Sequence, residues 1–558
     1  MTRFTTYLII IAAVVALCSP CWSKEYPNRW FYVSRWLYKD SDVEDIRRIA
    51  ETASAHGLNG MVLSGALDRL DLHPPEYFRR LDQVKAICKS KNIEIIPSVF
   101  SIGYGWSFLK QDINLAAGIP VVDAPFIVRN GMAGLSPEQP VRIINGGFET
   151  VRGLSFTGYR FHDKPGAVSF MDRRIVHNGR ASIRFENFEK YPHGHARVMQ
   201  EVEVRPNRCY RLSCWVRTDG LEPAGCLKMM VMGSDGRNLA PWDPKVPSRS
   251  DWRKIVMGFN SLSYDKVRVY VGVWGGKSGK FWVDDLEIEE VGLLNVLRRP
   301  GTPVVVRSAE TGRAYEEGRD YARIEDPKIN FKFDHNPRLI RVLQSGRIKE
   351  GQRLKVSYYH GMAVNSGQVT ACMSEPKIYE IVAKQTQLIH KYLGPSKYLL
   401  SMDEIRAGGA CKSCKKRGKT MGEILGDCIT KQAEIIRGVN PKAEVLIWSD
   451  MLDPNHNARG DYWLVDGDFT GSWKHIPKDI TIVCWYYKKR AESLKFFSSE
   501  GFKTLAGAYY DGDTLENPRG WLKELDKTPN ATGIMYTTWR NKYGLLGPFG
   551  DLVGGKAN

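Results

Sequence analysis

The sequence predicts an α/β protein: a (β/α)8 barrel of the TIM type, interrupted after its third strand by a jelly-roll β-sandwich and a small β-rich segment. Two observations carry this reading. Apolar runs of strand length alternate with amphipathic helical segments in residues 24–142 and again in 361–558, with three strands in the first stretch and five in the second. Between them the helical period disappears, and short alternating strands separated by Gly, Asn and Asp turns take over. A barrel alone takes about 250 residues, so a chain of 558 has room for both parts.

The elements follow in order. Residues 30–37 form an aromatic and apolar strand, 42–56 a helix, 60–63 a strand, 75–91 a helix and 93–100 a strand. These units do not close a barrel by themselves. The missing ones come after residue 366. Ser374-Glu375-Pro376 opens a helix that runs to about residue 392, with proline in the first turn, where its absent N–H is not missed. Strands at 398–402, 444–448, 480–486, 504–509 and 532–538 follow, with helices at 421–438, 491–500 and 518–525. In residues 143–292, strands are expected at 181–186, 197–204, 209–217, 227–232, 252–259, 267–273 and 279–288. Residues 293–360 form the smaller segment, with strands at 302–307 and 353–359 and 14 basic against 8 acidic residues.

Composition narrows the function. Hydrophobic residues make up 43% and charged residues 25%, as in ordinary globular chains, while the net charge of +18 stands out. Residues 1–23 have the form of a secretory signal peptide, with Arg3 at a basic start, an apolar run over 7–17 and a small-residue site before Lys24. Its removal would leave +17, and export to a secreted or periplasmic location makes nucleic acid a poor partner. No later stretch is apolar enough to span a membrane. The charge is then a match to an anionic glycan or surface, or a solubility feature. Nine cysteines follow the leader; Cys411 and Cys414 are spaced for either a local disulfide or half of a metal site, and Cys209 with Cys214 or Cys226 for a second bridge.

Within the sandwich, Asn145-Gly146-Gly147-Phe148-Glu149 at the start, residues 210–217 in the middle and Phe281-Trp282-Val283-Asp284-Asp285 near the end occur in sequence. Together they resemble the jelly-roll carbohydrate-binding modules attached to glycan-degrading enzymes. That resemblance implies a structural calcium in the sandwich, with Trp242, Trp252 and Trp274 either stacking on sugar or packing in the core.

The sharper signal lies in the barrel. Catalytic groups of such barrels sit at the C-terminal ends of strands, where residues 400–402 run into Asp403 and Glu404. Adjacent carboxylates divide acid and base work when their environments push their pKa values apart. The arrangement resembles the family 20 glycoside hydrolases, the β-N-acetylhexosaminidases, and the chain reads as a distant relative of them. The resemblance implies that Asp403 orients the substrate's acetamido group and Glu404 is the general acid/base. It also implies that Arg35, Trp448, Trp485, Tyr509, Asp511 and Trp539 hold the sugar. The sequence departs from the family's pattern in four places. Ser401-Met402 replace the usual glycines, the His-x-His after strand two is absent, Asn541 stands where an acid is usual, and the insertion is far larger.

Two loops complete the reading. Asp450, in Asp450-Met451-Leu452-Asp453-Pro454-Asn455-His456-Asn457 after strand five, belongs to a substrate contact, a structural loop or a divalent-ion site. The basic Cys411–Arg417 loop is either a solvated face or a contact for glycan sulfate or carboxylate. The expected activity is that of an exported, retaining glycoside hydrolase acting on β-linked N-acetylhexosamine or a related sugar, in an anionic polysaccharide among others, with no catalytic metal or cofactor. The competing readings are a hydrolase of sulfated or uronic glycans without acetamido assistance, and a non-catalytic glycan-binding protein on a degenerate barrel.

Overall fold

Eight parallel strands close on themselves: β1 (Asn28–Ser34), β2 (Gly60–Ser64), β3 (Glu94–Val99), β4 (Lys397–Leu400), β5 (Glu444–Trp448), β6 (Thr481–Cys484), β7 (Lys503–Tyr509) and β8 (Ala531–Thr537). The computed structural model describes residues 26–460 and 462–555, leaving the side chain of Trp242 aside; the leader read at 1–23 lies outside the described residues. Closure comes from β1 pairing with β2 on one side and with β8 on the other, through Trp30↔Gly60 and Trp30↔Met535.

The strand pattern explains why the barrel is full. Successive side chains alternate faces, so one set points inward and the next outward. Trp30, Tyr32, Val62, Ile96, Leu399, Leu446, Trp448, Val483, Leu505 and Met535 form the inner core. Their neighbours Phe31, Val33, Met61, Leu400, Val445, Ile482 and Ile534 pack outward against the helices. The helices are α1 (Asp40–Ala55), α2 (Pro75–Ser90), α3 (Pro376–Leu393), α4 (Met421–Val439), α5 (Arg490–Ser499), α6 (Glu516–Leu525) and α7 (Leu546–Val553). Helix α4 starts on a capping box, with Thr420 and Glu423 satisfying each other's backbone N–H groups. Gly394 ends α3 in the left-handed conformation at φ 53°, which costs glycine little. Among the described residues, the only helical turn between β5 and β6 is Ser472–His475, so the fifth strand has no full helix of its own.

Between β3 and β4 the chain builds three sheets. Two are five-stranded and form the sandwich: one runs in the order Ser250–Asn260, Cys209–Glu222, Ser278–Glu290, Ser182–Phe185, Ser169–Asp172. The other runs Asn238–Trp242, Leu227–Gly233, Lys266–Val273, Ala196–Glu203, Phe161–His162. Every sandwich strand expected from sequence is present. The third sheet has six strands and joins Val305–Ser308 and Arg353–His360 to Ile119–Arg129 and Met132–Leu135. The segment before the sandwich and the segment after it therefore meet as one sheet, because Arg353–His360 has an unpaired edge that Ile119–Arg129 fills.

The nine described cysteines are free thiols, so the bridges expected at Cys209 with Cys214 or Cys226, and between Cys411 and Cys414, are not formed. Cys209 and Cys214 lie on one extended strand, five residues and about 17 Å apart, beyond the roughly 7 Å that a disulfide tolerates. No helix among the described residues is long and apolar enough to cross a membrane.

Candidate active site

A cavity of about 590 Å³ opens at the C-terminal ends of the barrel strands. Its walls include Tyr32 from β1, Asp68 and Arg69 after β2, Tyr104 and Trp106 after β3, Asp403 and Glu404 after β4, Trp448 at the end of β5, Trp485 after β6, Tyr510 after β7 and Trp539 after β8. Non-glycine residues with positive φ sit at six of the eight strand ends: Leu37, Ala66, Phe100, Glu404, Tyr509 to Asp511, and Asn541. Each such residue costs energy and persists only where surrounding contacts hold it, so its clustering on one face is a mark of a functional end.

Glu404 is held at both carboxylate oxygens. Arg406 places Nη2 2.7 Å from Oε1, and the Tyr104 hydroxyl donates to Oε2. Both partners are hydrogen-bond donors, and one of them is a cation. Its backbone is held too: the Glu404 N–H donates to Asp450 Oδ2 at 2.9 Å, and its carbonyl accepts from Gln368 Nε2 at 2.6 Å. Gln368 also takes a hydrogen bond from Arg406. Gln368 lies in the connection between the inserted segment and α3, so the chain returning from the insertion supplies one wall of the pocket. Trp106 ties that wall down, donating Nε1–H to the Gly367 carbonyl at 2.9 Å.

Asp403 has the opposite environment. Burial pushes its carboxyl well above the usual range, and the negative charges of Asp450 and Glu404 push the same way. Asp450 itself is fully buried and raised to about 7 by burial and by Glu404, against the pull of the Glu404 amide and Asn457. Two neighbouring carboxyls in one pocket thus have different surroundings: Asp403 is pushed up by burial and by nearby carboxylates, while Glu404 faces a guanidinium. Such a split marks an acid and a base.

The aromatic wall is continuous. Trp539, 45% exposed, lies 5.1 Å from Tyr32 and 6.0 Å from Trp448, while Tyr510 stacks on Trp485 at 5.9 Å and meets Trp539 edge-on. Asp68 accepts from the Phe100 N–H at 2.8 Å and from Ser107 Oγ at 2.6 Å, which pins the loop after β3.

Of the residues singled out from sequence, the structure brings Asp403, Glu404, Trp448, Trp485 and Trp539 together around the cavity. Four others stand behind it. Arg35 is engaged by Asp45 at 3.2 Å, by the Ser34 carbonyl and by Asn541, so it ties β1 to the turn after β8. Asp450 supports Glu404 from below. Tyr509 stacks on Tyr536 at 4.0 Å, and its neighbour Tyr510 faces the cavity instead. Asp511 caps the turn after β8, accepting from Thr538 and from the Trp539 and Arg540 amides. Sequence reasoning missed Tyr104, Gln368 and Arg406. Arg406 carried a signal, since it lies two residues beyond Glu404; Gln368, in a loop 36 residues upstream, carried none.

In the sandwich, Trp252 packs edge-on to His177, which stacks on Trp215 at 3.9 Å, and Arg197 lies 5.5 Å over Trp274. The sandwich docks on the barrel through Arg237, whose guanidinium donates to the Trp463 and Val465 carbonyls. The Trp463 ring in turn lies 4.8 Å from the Arg406 guanidinium.

No family model matches the chain, and no curated protein does. Among solved structures it is similar to a rhamnosidase from Novosphingobium sp. PP1Y, at 10% identity over 94% of this chain and 56% of that one, with a TM-score of 0.30. It is also similar to a β-N-acetylhexosaminidase from Bacteroides fragilis NCTC 9343, at 14% identity over 31% of this chain and 36% of that one, with a TM-score of 0.23. The carbohydrate-binding module TmCBM61, solved with β-1,4-galactotriose, matches at 19% identity over 26% of this chain and 95% of that one, with a TM-score of 0.21. These scores are too low to establish a shared fold, so the reading of the site rests on its own geometry.

Proposed function

We propose that the chain is an exported glycoside hydrolase whose (β/α)8 barrel closes an aromatic pocket around one sugar. The observation that carries the proposal is the pair Asp403 and Glu404, side by side at one strand end inside a tryptophan-walled cavity, one beside other carboxylates and the other paired with Arg406. The aromatic faces would take the apolar C–H face of a pyranose and keep water out. Asp403, holding a proton, would donate it to the glycosidic oxygen; Glu404, held by Arg406 and Tyr104, would act as base or nucleophile. This exchanges the roles that the family resemblance implies.

β-Linked N-acetylhexosamine is the first substrate to try. One observation favours a hydrolase working without acetamido assistance: Asp511, which the resemblance assigns to the sugar, is occupied by the turn after β8. The test is a panel of aryl β-N-acetylglucosaminides, β-N-acetylgalactosaminides and galactosides with good and poor leaving groups. Asp403→Asn is expected to keep turnover on activated leaving groups and lose it on poor ones, whereas Glu404→Gln loses both. The reverse pattern would restore Glu404 as the acid. If both variants and the wild type retain a glycan on an affinity gel and none releases reducing ends, the barrel binds without catalysis.

A calcium ion in the sandwich belongs to the same proposal. The nearest carboxylates to Gly147 are Glu149, which accepts from the Arg180 and Ala181 amides, and the buried Asp284, which accepts from the His177, Asn178 and Asp285 amides; an ion there would use their remaining lone pairs. These are oxygen donors suited to a hard ion. A rise in Tm on adding calcium, absent in Asp284→Ala, is the expected result.

A further inference from the structure

Three buried thiols meet where the inserted segment rejoins the barrel. Cys372 lies just ahead of α3, Cys411 stands at the start of the short helical turn Lys412–Lys415 beyond β4, and Cys414 lies within that turn. Their Sγ atoms are 3.5 Å (Cys372 to Cys411), 3.7 Å (Cys372 to Cys414) and 3.6 Å (Cys411 to Cys414) apart. A disulfide needs about 2.05 Å, so none of these pairs is bonded. Thiolates that share a tetrahedral ion at about 2.3 Å lie about 3.8 Å from one another. The nearly equilateral triangle matches that spacing on all three sides.

We propose that Cys372, Cys411 and Cys414 bind a thiophilic metal ion, zinc being the ion whose geometry the triangle fits. Each ligating thiol would give up its proton to solvent as the metal–sulfur bond forms. The backbone already holds the three positions. The Cys372 N–H donates to the Leu115 carbonyl at 2.8 Å, and the Lys412 N–H donates to the Gly301 carbonyl at 2.9 Å. Cys411 and Cys414, three residues apart on one helical turn, present their sulfurs to the same side. Among the described residues no His, Asp, Glu or further Cys joins the triangle, so solvent or a small anion would complete the fourth position.

Zinc with three thiolates would carry one net negative charge, and the surrounding chain is basic, although Lys415 and Arg417 are also paired with Asp466 and Asp427. Lys412, Lys415, Lys416 and Arg417 follow or flank the two cysteines, and Arg299 acts on Cys411 from the inserted segment. The ion would clamp together the ends of the insertion and the loop that carries Asp403, Glu404 and Arg406. It would act as a staple for that loop, not as a reactant.

The test is metal analysis of the full-length chain, purified under reducing conditions with zinc supplied and excess removed. One equivalent of zinc is expected, with at least tenfold weaker binding in Cys372→Ser and Cys414→Ser and no change in Cys88→Ser, a buried thiol away from the cluster. Wild-type protein loaded with cobalt should show a thiolate-to-cobalt charge-transfer band, a readout that needs no variant to fold. Metal-free wild type with no such band overturns the proposal, as does a Cys411–Cys414 or Cys372–Cys411 disulfide found by mass spectrometry, or metal retained in the serine variants.

Discussion

Arg406 and Glu404, two residues apart after β4, form an ion pair of 2.7 Å in which the guanidinium also reaches Gln368 and lies over Trp463. One cation thus links the carboxylate of the pocket to the returning inserted segment and to the loop on which the sandwich docks. Arg406→Gln is expected to lower kcat by about 100-fold, because a reactive group misplaced by an ångström loses rate on that order. KM should change little, since Arg406 does not line the cavity. Steady-state kinetics separate the two; a KM effect alone would contradict the positioning role.

Gly103 allows two loops to touch. A Cβ there would come within 2.0 Å of the Asp403 carbonyl and 2.9 Å of the Glu404 carbonyl, backbone that cannot yield without moving both carboxylates. Gly103→Ala should destabilise the chain by about 1–3 kcal/mol, the usual cost of overpacking, and abolish turnover. Thermal unfolding and kinetics together check it, with Gly225→Ala as a control at a position with open space around it and no left-handed backbone.

Asp450 makes stability fall as pH rises. Its folded pKa of about 7 lies above its ordinary value of 3.8, so between those values the folded chain binds more protons than the unfolded one. The stabilisation is complete below pH of about 4 and is lost toward pH 7, by at most about 1.4 kcal/mol per unit. Asp450→Asn keeps an acceptor for the Glu404 amide and removes the titration. Its Tm should vary less with pH over that window than that of the wild type; equal slopes would refute the assignment.

Asp511 acts on the pocket through Trp539. Asp511→Ala frees the Trp539 and Arg540 amides and the Thr538 hydroxyl, so the exposed indole loses its fixed place. The expected outcome is a rise in KM of about tenfold, one bidentate hydrogen-bonded turn being worth about 1–2 kcal/mol, with the kcat of bound substrate largely kept. A substrate titration distinguishes this from a direct role in chemistry, which would lower kcat.

The eight strands and all but one of the barrel helices were legible in the sequence because each is a local pattern: period two for strands, 3.6 for helices, proline at the start of α3. Helix α7 and the strands at 119–135 were not read. Asp403 and Glu404 were legible for the same reason, since a strand's end in a parallel barrel points its last side chains at the open face. The sequence by itself therefore determined the barrel, the interrupting sandwich and the position of the two carboxyls. Only the tertiary structure decided how the surroundings of the two carboxyls differ, because that depends on burial and on charges brought in by Asp450 and Arg406. It also decided that Gln368 and Tyr104 complete the site, and that Arg35, Tyr509 and Asp511 support it from behind. A strand's register sets which face a side chain takes, but what it meets there is set by loops whose contacts span 36 residues for Gln368 and 300 for Tyr104. The three cysteines make the same point: the Cys-x-x-Cys spacing was local, and the third sulfur, Cys372, was brought to it by the fold.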